Sequence, residues 1–515
     1  MSPPRQAGRA HCLTWVGLIL ALLLTLGPGA AFADEASTAA QFAALRGYPL
    51  LLRQFMAKFP KGGDLHNHLD GSVYAERIIG WAAADGRCVL LATAQISAAP
   101  CDPSAGRPAM ASVVGESSTY ARLIDSYSMR NYSRGAKSAH DQFFDSFGLF
   151  IPGTSGHEGA MIAEAARRRG VENTEYLELM QSFGMADAVA LAARQPGKFS
   201  AKSAAAALAT DAALAGIAVR TAENLTRYEK DWRSQARCGT SLADPGCGVT
   251  VRYLAQVLRA LPPEAVYAQI VLAFLLVDRD PRYVGINLVE PEDDPATLAN
   301  YDAQMTEIRA LSSVFPKVHI TLHAGELNLG LVPPEDTRDH IRKAVMIAGA
   351  QRIGHGISIG LEDDALDLLR YMSQHRVLVE INLSSNEAIN GIAGLDHPFM
   401  LYREYGVPTA LSADDEGVLR IDLVHEYVRA AQTYPLSYQD FKELSRNALA
   451  YAFVAGQPLL TDLRSGALAA SCTGHVPMDQ EPAACRQLLR DSLKARLQWD
   501  LERRFEKFET LDWGV

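Results

Sequence analysis

In Gly63-Asp64-Leu65-His66-Asn67-His68-Leu69-Asp70-Gly71, residues Gly63 to His68 form a run of strand length that ends in polar residues. His66 and His68 stand two apart, and on a strand residues two apart share a face. Two imidazoles therefore project together near the end of this strand. Working outward, apolar or alternating runs of strand length recur at 175–179, 270–277, 283–288, 318–323, 352–355, 377–382 and 408–414, each ending in polar residues. Helix-length segments such as 295–315, 337–350 and 361–375 separate most of them. Strands alternating with helices imply parallel pairing. With the first run there are eight, which suggests a TIM (β/α)8 barrel whose site lies at the C-terminal strand ends. Two long segments, about 75–170 and 184–268, read as helical insertions after strands 1 and 2. The expectation is one barrel domain over 34–515, closed by a helical segment after about residue 435.

The N-terminus reads as a secretory signal peptide over residues 1–33. Arg5 and Arg9 precede an apolar stretch over 13–27, and Ala31-Phe32-Ala33 forms an A-x-A site with cleavage expected after Ala33. The apolar stretch is short for a membrane span. Secretion or a periplasmic location follows, with no membrane attachment after cleavage. Losing Arg5 and Arg9 takes the net charge from −10 to −12. So acidic a chain is a poor nucleic-acid binder, and Arg167-Arg168-Arg169 reads as a solvated helix face. Six cysteines remain, close in sequence as Cys88 with Cys101, Cys238 with Cys247 and Cys472 with Cys485. In an exported chain this suggests local disulfides.

Three further strand ends carry chemistry. Thr321-Leu322-His323-Ala324-Gly325-Glu326, Arg352-Ile353-Gly354-His355-Gly356 and Leu411-Ser412-Ala413-Asp414-Asp415-Glu416 each deliver a His or Asp where a barrel strand finishes. Three histidines and a carboxylate suit zinc rather than an oxygen-coordinated cation. The other histidines, His140, His157, His340, His375, His397, His425 and His475, read as surface or core residues, and His319 as core packing. No P-loop, G-x-G-x-x-G or G-x-S-x-G is present.

At this point the chain resembles the adenosine deaminase family of the amidohydrolase superfamily, over about residues 55–430. The segment from Pro60 to Gly71 looks like that family's opening motif, and His323-Ala324-Gly325-Glu326, Gly354-His355-Gly356 and Asp414-Asp415 look like its later ones. The leader and the long insertions look like the secreted, growth-factor-related branch. The resemblance implies that His66, His68, His323 and Asp414 bind one zinc ion per chain, which lowers the pKa of water. It implies that Glu326 protonates purine N1, that His355 orients the attacking hydroxide, that Asp415 contacts N7 and that Asp70 contacts the ribose hydroxyls. The implied reaction is deamination of adenosine, and of 2′-deoxyadenosine, to inosine and ammonia. The partner would be a small purine nucleoside, with a homodimer left open. A carboxylate at 70 favours nucleoside over nucleotide. Glu290 stands where the family usually has a glycine whose N–H contacts purine N3, so its side chain must point away or fill space. Glu416 stands where many members have proline, and reads as a loop difference. Phe143, Phe144 and Phe147 have the helical spacing of an apolar lid, or of ordinary packing. Two alternatives stay open: deamination of adenine or a modified adenosine, and a secreted binding or growth-factor-like protein with a vestigial site.

Overall fold

The computed structural model describes residues 34–133, 137–200, 203–473 and 483–515. The expected leader, residues 1–33, and His475 lie outside the described residues.

Eight strands make the wall: β1 Gly62–His68, β2 Thr174–Gln181, β3 Thr250–Leu258, β4 Tyr283–Val289, β5 Thr321–Ala324, β6 Arg352–His355, β7 Leu378–Ile381 and β8 Thr409–Leu411. β1 to β4 pair in parallel in chain order, and so do β5 to β8. Single parallel bridges join the halves at both seams, Ile286 to Ile320 and Asn67 to Asp414. The ring therefore closes as a TIM barrel. Its strands are buried on both faces, which is why they read as continuous apolar runs rather than clean alternations. The second seam also matters for chemistry. Asp414 N donates to His66 O at 2.9 Å, so the aspartate after β8 is fastened beside the histidines of β1.

One strand lies elsewhere than expected. Residues 270–277 belong to the helix Pro263–Arg279, and the third strand is Thr250–Leu258, inside the range 184–268 read as insertion. A continuous apolar run fits a buried helix as well as a buried strand. Here every residue from Ala265 to Leu276 is buried, so no polar face reveals the helical period. The start signal was present in Pro262-Pro263-Glu264, a proline in the first turn followed by an acid. The helices Met185–Arg194, Ala205–Ala209 and Ala212–Gln235 precede β3. Between β1 and β2 lie the helices Ala75–Ala84, Ser117–Ser126, Ala139–Phe150 and Glu158–Val171, together with a two-stranded hairpin, Cys88–Val89 with Ile96–Ser97.

All three expected disulfides are formed: Cys88–Cys101, Cys238–Cys247 and Cys472–Cys485, with Cα–Cα separations of 5.4, 5.4 and 4.8 Å. Among the described residues, no helix is long and apolar enough to cross a membrane.

The arginine run departs from its sequence reading. Arg167 is exposed, but Arg169 is fully buried and pairs with Asp64 at 3.0 Å, Glu172 at 3.2 Å and Glu416. Arg168 reaches Glu416 at 2.6 Å and Glu164 at 2.9 Å. Glu416 is thus more than a loop difference. Its carboxylate ties the segment after β8 to the helix Glu158–Val171, and buried charges persist only when paired in this way.

Candidate active site

The C-terminal strand ends converge as the sequence suggested. His66 and His68 Nε2 lie 3.1 and 3.2 Å from His323 Nε2. Asp414 Oδ1 lies 3.6 Å from His66 Nε2 and 3.4 Å from His68 Nε2. The other ring nitrogens decide what these atoms can do. His66 Nδ1 donates to Glu380 Oε2 at 2.7 Å, His68 Nδ1 to Gln256 Oε1 at 2.8 Å and His323 Nδ1 to Asn287 Oδ1 at 2.9 Å. The backbone N–H of His323 also donates to Asn287 Oδ1, at 3.0 Å, which fixes that atom as an acceptor. With each proton on Nδ1, three Nε2 lone pairs and a carboxylate oxygen face one point. Lone pairs that close repel one another unless a cation lies among them. This donor set, with its hydrogen-bonded supports, can hold a divalent metal ion.

Burial alone would keep these imidazoles neutral. It pushes His68 down to about 4 and His323 well below the usual histidine value. Burial is the largest influence on His66 too and pushes it down, but the bond to Glu380 together with the charges of Asp414, Glu380 and Asp64 raises it overall. Burial also acts on Asp414, yet the surrounding His66, His355 and His68 hold it low, at about 2.

Gly354 belongs to the site for a steric reason. A Cβ there would lie 2.6 Å from His66 Cε1 and 2.9 Å from Nδ1. Gly354→Ala is therefore expected to push the His66 ring off its point and to weaken metal binding by about 10–100-fold. Competition with a coloured chelator measures this, and unchanged affinity would remove the glycine's assigned role.

Beside the four ligand atoms lies a cavity of about 390 Å³. Asp70, Glu290, Glu326, His355 and Asp415 line it on the polar side, and Phe143, Phe144, Phe147 and Ile389 on the apolar side. The phenylalanines come from the helix Ala139–Phe150, and the face they share borders this cavity. Three buried polar atoms around the cavity have no hydrogen-bond partner: Glu326 Oε1, His355 Nε2 and Asp415 Oδ1. Buried polar atoms are nearly always paired, so an orphaned trio marks where a polar ligand is met. Burial, with Asp414 and then Glu292 adding repulsion, raises Glu326 well above the usual carboxylate value. Burial and the adjoining Asp414 do the same for Asp415. Asp70 rises to about 6 through burial and the charge of Glu158.

Strained backbone accompanies the chemistry. His355, Asp414 and Glu290 have φ of +67°, +58° and +81°, a region costing non-glycine residues on the order of 1–3 kcal/mol. At 290 this explains the usual glycine. Glu290 is accommodated because its Oε2 accepts from Ala260 N at 2.8 Å while its carbonyl accepts from Arg259 Nε at 3.0 Å. Its side chain thus points back into the protein's own backbone.

Sequence reading missed the supporting residues Glu380, Gln256 and Asn287, and also Glu292. The last accepts from Gly325 N at 3.0 Å and Glu326 N at 2.8 Å, and pairs with His340 at 2.6 Å. Each is a polar residue embedded in, or just after, an apolar strand run, and that is the signal that could have found it. His340, read as unremarkable, is buried and stacks on Tyr301 at 3.8 Å. His319 stacks on Phe453 at 4.7 Å, away from the site.

A closed barrel thus carries this donor set at the C-terminal ends of its strands. Residues 234–460 match the adenosine deaminase family. An adenosine deaminase of Klebsiella pneumoniae is 38% identical over 140 residues, covering 27% of this chain and 39% of that protein. One from Salmonella typhimurium is 38% identical over 138 residues, covering 27% and 38%. Among solved structures, an N6-mAMP deaminase from Arabidopsis matches with a TM-score of 0.51 at 21% identity, over 78% of this chain and 96% of that one. An amidohydrolase from Burkholderia ambifaria with bound zinc matches with a TM-score of 0.51 at 16% identity, over 79% and 88%. Residues 234–460 thus carry the likeness to the adenosine deaminase family, and the chain spans about two fifths of the length of the curated relatives it matches.

Proposed function

We propose that this protein is an exported, zinc-dependent adenosine deaminase, converting adenosine and 2′-deoxyadenosine to inosine and ammonia. The observation that carries this reading is the orphaned trio Glu326 Oε1, His355 Nε2 and Asp415 Oδ1 around one apolar-lidded cavity. A purine offers N1 and N7 as acceptors, so a matching site needs donors. Carboxyl groups donate only when protonated, and both Glu326 and Asp415 are pushed up toward that state. Glu326 holds a proton for N1, which makes C6 electrophilic. Asp415 holds one for N7. His66, His68, His323 and Asp414 would hold zinc, which lowers the pKa of water and so supplies a nucleophile near neutral pH. His355 orients that nucleophile toward C6 from Nε2. Asp70 accepts from the sugar hydroxyls, and Phe143, Phe144 and Phe147 exclude bulk water. Export is supported by the leader-like sequence of residues 1–33 and by the three disulfides.

The cavity also favours a nucleoside over a nucleotide. Its lining includes Asp70, Glu290, Glu326, Asp414 and Asp415, and neither Lys nor Arg is among the described lining residues. With Glu326 and Asp415 protonated and Asp414 given to the metal, a 5′-phosphate would meet the Asp70 carboxylate and no counter-ion, and such like-charge contacts cost several kcal/mol. The expected outcome for purified mature protein is turnover of adenosine with kcat/KM for AMP lower by at least about a hundredfold. Ultraviolet assays over nucleosides, bases and nucleotides measure it, alongside metal content. Preference for AMP would overturn the nucleoside reading. Turnover of adenine alone would replace the substrate, and silence on the whole panel would favour a binding protein.

A further inference from the structure

His355 differs from the three ligand histidines in the polarity of its support. Their Nδ1 atoms face acceptors, whereas His355 Nδ1 has the Asn386 amide nitrogen at 2.9 Å and the Glu326 carboxyl beyond hydrogen-bond reach at 3.7 Å. The chain of contacts behind it begins at a backbone amide. Phe399 N donates to His397 Nδ1 at 3.1 Å. A backbone N–H can only donate, so His397 Nδ1 carries no proton and Nε2 does. His397 Nε2 lies 3.0 Å from Asn386 Oδ1 and donates to it. Asn386, turned this way, presents Nδ2 to His355 Nδ1 at 2.9 Å. Asn382 Nδ2 stands 3.5 Å from the same atom. His397, Asn386 and His355 are 3, 0 and 1% exposed, so no solvent competes with these bonds. Which nitrogen of a histidine is protonated is set by the bond the other makes. Here that places the His355 proton on Nε2, the orphaned atom, 3.8 Å from Asp414 Oδ2.

We infer that His397 is a positioning residue, which passes the polarity of the Phe399 amide through Asn386 to His355 and keeps the His355 N–H aimed into the cavity. The arrangement solves a real problem. The His355 ring lies 4.9 Å from His66 and 5.0 Å from His323, centroid to centroid. Turned into the other tautomer, it would offer a lone pair to the same ion and become a surplus ligand. The relay keeps it a donor. It rests on the reading of His355 as the group that orients the attacking oxygen, and the test below separates the two.

The test uses the full-length zinc-loaded protein labelled with ¹⁵N-histidine. Two-bond proton–nitrogen correlations report which ring nitrogen is protonated, and the His355 signal is assigned by its loss in His355→Asn. The wild type is expected to show His355 protonated on Nε2. His397→Gln can accept from Phe399 and donate to Asn386, so it should keep that tautomer and most of the activity. His397→Glu accepts from both sides and turns Asn386 over. It should move the His355 proton to Nδ1 and lower kcat about a hundredfold, with zinc content and KM little changed. A wild-type proton on Nδ1, or an unmoved proton in His397→Glu, overturns the relay. If His397→Glu does not fold, the wild-type and His397→Gln spectra decide in the same way. A shifted tautomer with undiminished kcat would uphold the relay and overturn the role given to His355.

Discussion

Glu326→Gln is expected to leave zinc bound and to lower kcat on adenosine by about three to four orders of magnitude, the upper range for a lost proton donor. Glu292 accepts from both Gly325 N and Glu326 N, and Asn390 Nδ2 donates to Glu326 O at 3.1 Å. The residue is thus held by contacts its side chain does not make, and the substitution should not disturb the turn after β5. Glutamine has nearly the same shape and can donate a hydrogen bond from its amide. It cannot give up the proton. Ground-state binding should therefore persist while the step that makes C6 electrophilic fails, so KM should change far less than kcat. Zinc content gives the control, since Glu326 is not among the converging ligand atoms. Activity within tenfold of wild type would move the proton donor elsewhere in the cavity. Loss of zinc together with activity would mean that the substitution disturbed His323 and not the chemistry.

Much of this site was legible in the sequence, and the reason is geometric. In a parallel barrel every strand ends on the same rim, so a polar residue closing an apolar run already has a place. His66, His68, His323, His355, Asp414 and Asp415 are found in this way without any knowledge of the chain's path. Other residues lie where local pattern does not decide. Residues 270–277 are equally apolar as strand or helix, and the cue that separates them lies outside the run, in the start signal at Pro262-Pro263-Glu264. Arg169 follows two polar neighbours on a helix, and its burial depends on Asp64 and Glu416, far away in sequence. Glu290 looked like a threat to the purine contact because sequence does not show the Ala260 N–H that takes its carboxylate. His397 looked ordinary because its importance lies in the direction of two hydrogen bonds. Single residues at strand ends are readable, whereas partnerships across the barrel are not.

Glu380 is the sharpest case of such a partnership, and Glu380→Gln should reveal it through two separable losses. The carboxylate is fully buried. One oxygen accepts from His66 Nδ1 at 2.7 Å, and the other accepts from Arg352 Nε at 2.6 Å and Thr321 Oγ1 at 2.8 Å. Arg352 in turn donates to Glu178 Oε2 at 2.6 Å and to Tyr451 O at 3.0 Å. The wiring therefore runs across β2, β6 and β7 to the metal site on β1. Glutamine keeps an acceptor but removes the charge. Removing a histidine's carboxylate partner typically weakens metal binding about 10–100-fold, and that is the expected loss of zinc affinity. Stranding a buried cation costs about 3–5 kcal/mol, and Arg352 keeps Glu178, so the metal-free protein should lose somewhat less than that. Chelator competition measures the first effect and denaturant unfolding of the metal-free protein the second. A stability loss with unchanged zinc affinity would make Glu380 only the counter-ion of Arg352. Weakened zinc binding without a stability loss would make it only the orienting partner of His66. The shared carboxylate predicts both together, because the same two oxygens serve the barrel core and the metal.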